Sequence, residues 1–410
     1  MNSTDALPAL DQTERVILRA AEEEGGTGCP CDLLVVGDTT GALTAAALEL
    51  VTDHPDARVH SWSASRAETA ALAERLPQAL SLGRLVLPTG TDPVPLEEFA
   101  GGAEAHLVLA RLPKSLAGLD DLARRVAVLA ASSGREDLTL IAGGRVKHMS
   151  RSQNDVLASV FGEVHASRGL GKSRALVASA PRPETTLPAP ATGTATVAVR
   201  GERRELGLRG IGDVFGGARA DAGSLLLLGA LDAALVAGEL AVGGVPGGAA
   251  EATSAAGATA GGTSSAIARA VDVGCGNGLL TAYLSAALPD AAVLGSDDDA
   301  DAVAATRATL AASGLARDDV EVTWDVSLSL AADASADLLL LNPPFHDGTA
   351  VDATLVQDLL DASARVLRPG GQLWFVHNSH LRYRPEVERR VGPVRERARD
   401  RRFTVLSATR

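Results

Sequence analysis

Asn342-Pro343-Pro344-Phe345 is the segment whose residue types admit the most specific chemistry. Two consecutive prolines remove backbone donors and stiffen the chain. What remains is the Asn342 side-chain oxygen and the Pro343 carbonyl, two directed acceptors. Together they can grip an exocyclic –NH2 group and favour the positive charge that grows on its nitrogen as it attacks a methyl carbon. Phe345 is suited to stack on a planar base. His346 follows, but such an amine need not lose its proton before the transition state, so shaping the pocket fits His346 better than general-base work.

Upstream, Asp272-Val273-Gly274-Cys275-Gly276-Asn277-Gly278 reads D-x-G-x-G-x-G between an apolar run and a helical pattern. Glycines let backbone approach a ligand without Cβ clashes. Such a turn sits at the carboxyl ends of strands, where α/β sheets bind nucleotides. Asp297 closes the next apolar run and is placed to accept hydrogen bonds from both hydroxyls of a ribose. Asp298 and Asp299 beside it fit a solvated turn or a helix cap. Asp325 closes a third run and is placed to accept from an adenine amino group. The plain alternatives are a purely structural glycine turn and an exposed strand-end carboxylate.

Alternating strands and helices must hold these residues. In the second half AVDVG (270–274), AAVLGSD, DVEVTWD, ADLLLL and QLWFVHN read as strands, with LLTAYLSAALP, ADAVAATRATLAASG and ATLVQDLLDASARVLRPGG as helices. The first half repeats the pattern with DLLVVG, Val59 to Trp62, HLVLARLP and EDLTLIAGG as strands. The helix LDDLARRVAVLAASSG ends at a Gly C-cap. This is the pattern of parallel α/β sheets, and LLVVGDTTGALTAAAL mirrors VDVGCGNGLLTAYL as a duplication would. Residues 1–180 form one expected domain, the Pro-rich 181–194 a linker, and 195–410 a second domain. Gly/Ala/Ser/Thr low complexity at 241–264 reads as a flexible loop.

The chain has 410 residues, 46% hydrophobic and 22% charged, enough for two to three folded domains and too apolar for wholesale disorder. Three cysteines cannot build a disulfide framework or a Cys-rich zinc site, no other cluster has metal spacing, and the balance suits a reducing cytoplasm. No signal peptide and no membrane span are readable. A net charge of −13 argues against polyanion binding by the whole surface and leaves room for a local basic patch.

The glycine turn, the strand-end acid and N-P-P-F together resemble class I S-adenosylmethionine-dependent methyltransferases that act on planar amino groups. The resemblance is closer still to bacterial rRNA guanine-N2 methyltransferases, the group that takes in the small subunit methyltransferase C and the large subunit methyltransferase G. It is carried by LNPPFHDG (341–348), VFGGARADAGSLLLL (214–228), LWFVHNSHLRYRPEVERRVG (373–392), RLPKSL (111–116) and GGRVKHMS (143–150), across most of the chain. It departs at the 241–264 insertion and at Ala308, where relatives often have Asn. The resemblance implies two tandem Rossmann-like methyltransferase domains in an α/β fold, the N-terminal one degenerate. It also implies S-adenosylmethionine as methyl donor and guanine N2 in 16S or 23S rRNA as target. Gly274, Gly276 and Gly278 are then expected to admit the donor, Asp272 to orient its amino-acid end, Asp297 to hold the ribose and Asp325 to read the adenine. Asn342 and Pro343 hold the target amine, beside the donor, and Pro344 and Phe345 complete the catalytic tetrapeptide, Phe345 stacking a flipped-out base.

In the first copy the glycine turn is reduced to Gly37-Asp38-Thr39-Thr40-Gly41, and Arg111-Leu112-Pro113-Lys114 stands where the second copy has N-P-P-F. Lost catalysis and gained phosphate contacts are the expectation, against ordinary surface cations. From Leu381 to Arg402 nine arginines face four carboxylates, which marks Arg382, Tyr383 and Arg384 as RNA-facing, with a helix of internal Glu–Arg pairs as the plain alternative. Lys114 and Lys147 are the expected RNA contacts of the first domain. The partner is then ribosomal RNA or a ribosomal subunit, with no membrane, no metal and a monomeric enzyme. The rivals are methylation of adenine N6 or of a protein glutamine, and a non-catalytic RNA-binding scaffold.

Overall fold

The computed structural model describes residues 9–25, 30–212, 214–240, 267–343 and 353–410. The chain divides into two compact units, Met1–Ala189 and Pro190–Arg410.

The first unit runs α1 (Gln12–Glu23), β1 (Asp32–Val36), α2 (Ala42–Leu50), β2 (Val59–Trp62), α3 (Arg66–Arg75), α4 (Pro77–Ser81), β3 (Leu85–Val86), α5 (Leu96–Phe99), β4 (Ala105–Arg111), α6 (Leu116–Ser133), β5 (Thr139–Arg145), α7 (Arg151–Val160), β6 (Phe161–Ala166) and β7 (Ser173–Pro181). Its sheet has the order β3-β2-β1-β4-β5-β7-β6. β7 is antiparallel to both neighbours. Central strands are apolar on both sides because helices cover both faces. Leu34, Val36 and Val108 pack into one core, and Leu33, Val35, Leu107 and Leu109 into the other. Ser115 caps α6 by accepting from Gly118 N, and Gly134 at φ 68° closes it, where a left-handed residue ends a helix without Cβ strain.

The second unit opens with the hairpin β8 (Ala191–Val199) and β9 (Glu202–Gly210). β8 takes in the last four residues of the Pro-rich segment, because Ala191 to Thr194 pair with Gly210 to Gly207. Then follow α8 (Ala222–Val236), β10 (Arg269–Val273), α9 (Leu279–Ala287), β11 (Ala292–Asp297), α10 (Ala300–Ala312), β12 (Val320–Trp324), β13 (Ala336–Leu341), α11 (Ala353–Val366), β14 (Leu367–Asn378), α12 (Arg384–Arg390), β15 (Val394–Arg399) and β16 (Phe403–Thr409). The sheet order β12-β11-β10-β13-β14-β16-β15 repeats that of the first unit strand for strand. The duplication read from the sequence is therefore a duplication of topology. β14 takes in Leu367 to Gly371, which the sequence reads as the tail of a helix; Leu367 pairs with Ala336 instead.

Cys31 is disulfide-bonded and Cys275 is a buried free thiol. Among the described residues no helix is long and apolar enough to cross a membrane, and no group of His, Cys, Asp or Glu could hold a metal. The low-complexity stretch 241–264 lies outside the described residues.

Candidate active site

β10 delivers the chain into the glycine turn. Gly274 N and Cys275 N both donate to Ser296 O at 2.8 and 3.1 Å, which folds the turn over the end of β11. Gly274, Gly276 and Gly278 have φ of 73°, 53° and 82°, the region glycine enters without strain. Their roles differ. A Cβ on Gly274 or Gly276 would meet nothing within 4 Å, whereas one on Gly278 would lie 2.8 Å from Thr306 Cα. Gly278 is therefore needed for packing against α10, while Gly274 and Gly276 face open space.

Asp297 stands beside this turn. Its Oδ2 accepts from Gly276 N at 2.9 Å and its Oδ1 from Asp299 N at 3.0 Å. Burial pushes its carboxyl up from the ordinary value. Asp299 caps α10 by accepting from Asp301 N and Ala302 N.

Asp272 is wholly buried. Its Oδ2 accepts from Thr281 Oγ1 at 2.6 Å, pinning α9 to β10, and its Oδ1 has no partner. Burial, reinforced by the Asp297 charge, pushes its pKa up to about 7. The sequence reading expects Asp272 at the ligand's amino-acid end. The structure seals it beneath the turn, because its strand position points it into the packed layer between sheet and helix.

Asn342 follows β13, whose Leu341 pairs with Val273 of β10 and Phe375 of β14. That register sets Asn342 level with the glycine turn. The two share one pocket, lined by Gly274, Gly276 and Asn342, with Phe215, Asp221 and Ser224 on the other side. Asn342 Nδ2 donates to Ser224 Oγ at 2.9 Å and to the Asp221 carboxylate at 3.3 and 3.4 Å. An amide nitrogen has two donors, and both are spent. The side-chain oxygen is left as the acceptor. Pro343 is buried next to it. Pro344, Phe345 and His346 lie outside the described residues.

Other expected site residues already have partners within the protein. Asp325 is buried, and its carboxylate accepts from Ser329 Oγ and from Leu330 N. It thereby ties its own loop, at the end of the strand where the sequence places an acceptor for an adenine amino group. Tyr383 is half-buried and packs edge-on against Phe375 and His377, centroids 5.7 and 5.6 Å away. Arg384 donates to Val394 O at 3.1 Å. Arg389 and Arg390 pair with Glu386, Arg390 also with Asp361, and Arg397 with Glu239. Helix-borne Glu–Arg pairs account for two of the nine arginines, Arg389 and Arg390. Arg382, Arg395 and Arg401 are exposed without an ion pair among the described residues.

In the first unit Arg111 bonds Glu14 at 2.8 Å and Asp11 at 2.9 Å, so it is not a free phosphate contact. Lys114 and Lys147 are exposed. Their segments adjoin, since Leu112 N donates to Gly143 O.

Asp221, Ser224, Asn277 and Thr306 were not singled out by sequence. Asn277 Nδ2 donates to Gly217 O and Arg219 O and so holds the 214–220 loop over the turn. Thr306 Oγ1 donates to Gly276 O at 3.0 Å. Asp221-Ala-Gly-Ser224 ahead of an apolar run is legible as a helix cap. Its meeting with Asn342, 118 to 121 residues away, is not.

An open sheet with seven strands in this order, a ligand-facing glycine turn after its first parallel strand and an Asn-Pro after its fourth define a Rossmann-like methyltransferase unit. Residues 263–407 match the family model described as the methyltransferase small domain, and residues 1–182 match the RLMG N-terminal domain. A ribosomal RNA large subunit methyltransferase G from Streptomyces coelicolor is 30% identical, over 99% of this chain and 95% of that protein. A ribosomal RNA small subunit methyltransferase C from Pseudomonas entomophila is 41% identical, over 34% of this chain and 41% of its own. The T. thermophilus 16S rRNA N2 methyltransferase, solved with AdoMet and guanosine, shares the fold at a TM-score of 0.70, covering 97% of this chain and 92% of its own at 22% identity. The chain belongs to the ribosomal RNA large subunit methyltransferase G family.

Proposed function

We propose that this chain methylates the exocyclic N2 amine of a guanine in large-subunit ribosomal RNA. The observation that carries the reading is the Asn342 amide, its nitrogen spent on Asp221 and Ser224 and its oxygen left over, in one pocket with the open face of the glycine turn. The large subunit is favoured because the relative matched along nearly the whole chain carries that name, while the small-subunit relative matches a third of it.

The residues fit S-adenosylmethionine. Gly274 and Gly276 leave room for it against backbone, and the Asp297 carboxylate stands at the turn where a ribose would bond. When bound, the donor supplies an electrophilic methyl group whose carbon–sulfur bond breaks as the new carbon–nitrogen bond forms, the electron pair returning to sulfur. Asn342 Oδ1 and the Pro343 carbonyl hold the amine with its lone pair free to attack, and their bonds to it strengthen as positive charge grows on nitrogen. The extra proton leaves to solvent afterwards, so no residue need act as base. Lys114 and Lys147, on adjoining segments of the first unit, and Arg382 in the second supply phosphate contacts. The domain roles follow: residues 1–180 grip RNA and residues 195–410 carry the chemistry. A ribosomal RNA substrate supports a cytoplasmic location, with a monomer as the acting species.

Mass spectrometry of rRNA from a deletion strain tests this. One N2-methylguanosine should vanish from 23S rRNA and return when purified protein and donor are added. Loss from 16S rRNA moves the target to the small subunit. Unchanged rRNA with methylated adenine or glutamine elsewhere overturns the reading.

A further inference from the structure

Asn side chains have two orientations related by a half-turn, which exchange oxygen and nitrogen at almost no steric cost. Only one serves an attacking amine. With Oδ1 toward the amine, Asn342 offers an acceptor; with Nδ2 there, it opposes donor to donor. Something must choose.

Asp221 and Ser224 are placed to do so. A carboxylate only accepts. With Asp221 at 3.3 and 3.4 Å and Ser224 Oγ at 2.9 Å, the flipped amide would set its oxygen against the carboxylate. The pair is itself fixed. Asp221 is the N-cap of α8, its Oδ1 accepting from Ser224 N at 3.0 Å, and Ser224 is nearly inaccessible to solvent. Asp221 therefore faces two ways, to the first turn of α8 and to the amide after β13.

We propose that Asp221 and Ser224 are positioning residues that set the polarity of the Asn342 amide, presenting its oxygen to the target amine. The proposal rests on the reading of Asn342 given above. Because the selection happens before substrate arrives, its loss acts on the chemical step and not on binding.

The decisive variant is Asp221→Asn. Asn is as good an N-cap as Asp, so α8 keeps its start. The carboxylate is gone, however, and an amide at that position can meet either face of Asn342. Single-turnover methyl transfer at saturating RNA and donor should slow by about tenfold to a hundredfold, within the range for one preorganised partner. The RNA KM and the donor affinity by calorimetry should move less than about threefold, a split that a general structural defect does not give. Ser224→Ala leaves the cap in place and should slow the step by a smaller factor, so the idea stays testable if the Asp221→Asn variant misfolds. In a double-mutant cycle, adding Asp221→Asn to Asn342→Ala should cost nothing further, since the group it orients is absent.

Wild-type rates for Asp221→Asn and Ser224→Ala, with Asn342→Ala slow, overturn the positioning role and leave the Asn342 reading standing. A wild-type rate for Asn342→Ala overturns both. A large loss of donor affinity with the saturated rate intact makes Asp221 a donor-binding residue instead, and multiplicative effects in the cycle show that it acts elsewhere.

Discussion

Gly37–Gly41 and Gly274–Gly278 follow the first parallel strand of two sheets with one strand order, yet their turns are filled differently. The registers match position by position. Val36 pairs with Trp62 and Ala110, as Val273 pairs with Ser296 and Leu341. Ser63 thus stands for Asp297, Thr39 for Gly276, Asp38 for Cys275, Val35 for Asp272 and Arg111 for Asn342. In the first unit several of the substituted groups are satisfied by the protein itself. Asp38 is buried, and its carboxylate accepts from Thr40 N, Gly41 N and Thr44 N, filling the ring of amides from within. Thr40 Oγ1 and Arg111 both bond Glu14 of α1. A fold can keep its backbone turn and lose its ligand when an internal carboxylate takes the donors.

The sharpest break in this comparison is Asn342→Ala, which removes what Arg111 already lacks. Turnover should fall about 10²–10³-fold, with RNA and donor affinities changed less than about tenfold. Single-turnover kinetics checks it; a preserved rate with collapsed RNA binding makes Asn342 a binding residue.

Arg111→Ala is the converse. It strips the buried Glu14 of its cation, and a buried charge left unpaired costs about 3 kcal/mol. Hydrogen exchange should show the loss in residues 1–189, while the saturated methyl-transfer rate holds. A slowed rate would give the first unit a part in the chemistry.

Asp297→Ala turns the second unit toward the Ser63 state. A hydrogen bond to a charged group is worth roughly 1.5–3 kcal/mol, so donor affinity should fall at least about tenfold with the fold intact. Calorimetry gives this and the stoichiometry, expected to be one donor per chain. Two would show that the first turn is not filled.

The effect with the smallest change per step, spread over several pH units, concerns Asp272 against Val35. A carboxyl raised to about 7 stabilises the fold fully only below its ordinary value near 3.8, and that contribution is lost as pH rises to 7. Stability of the second unit should decline over this window by at most about 1.4 kcal/mol per pH unit. Asp272→Asn should flatten the decline. Denaturant titrations followed by Trp324 and Trp374, both buried in that unit, check it; an equal slope in the variant assigns the titration elsewhere.

The sequence by itself determined the two α/β units, because apolar runs alternating with amphipathic helices encode parallel strands locally. It determined the glycine turn, the acid at the end of β11 and the Asn-Pro after β13, because each is a residue type at a strand end. It could not tell Gly278 from Gly276, since what a missing Cβ would strike is set by Thr306 across the packed layer. The Glu386 pairs of Arg389 and Arg390 were legible as local helix spacing, but the partners of Tyr383 and Arg397 and the Asp361 bond of Arg390 were not, since they come from other elements. Tertiary structure alone decided which carboxylates are free, which are sealed, and which face of the Asn342 amide looks out. Those choices depend on groups more than a hundred residues apart meeting within 3.4 Å, a distance that no local pattern carries.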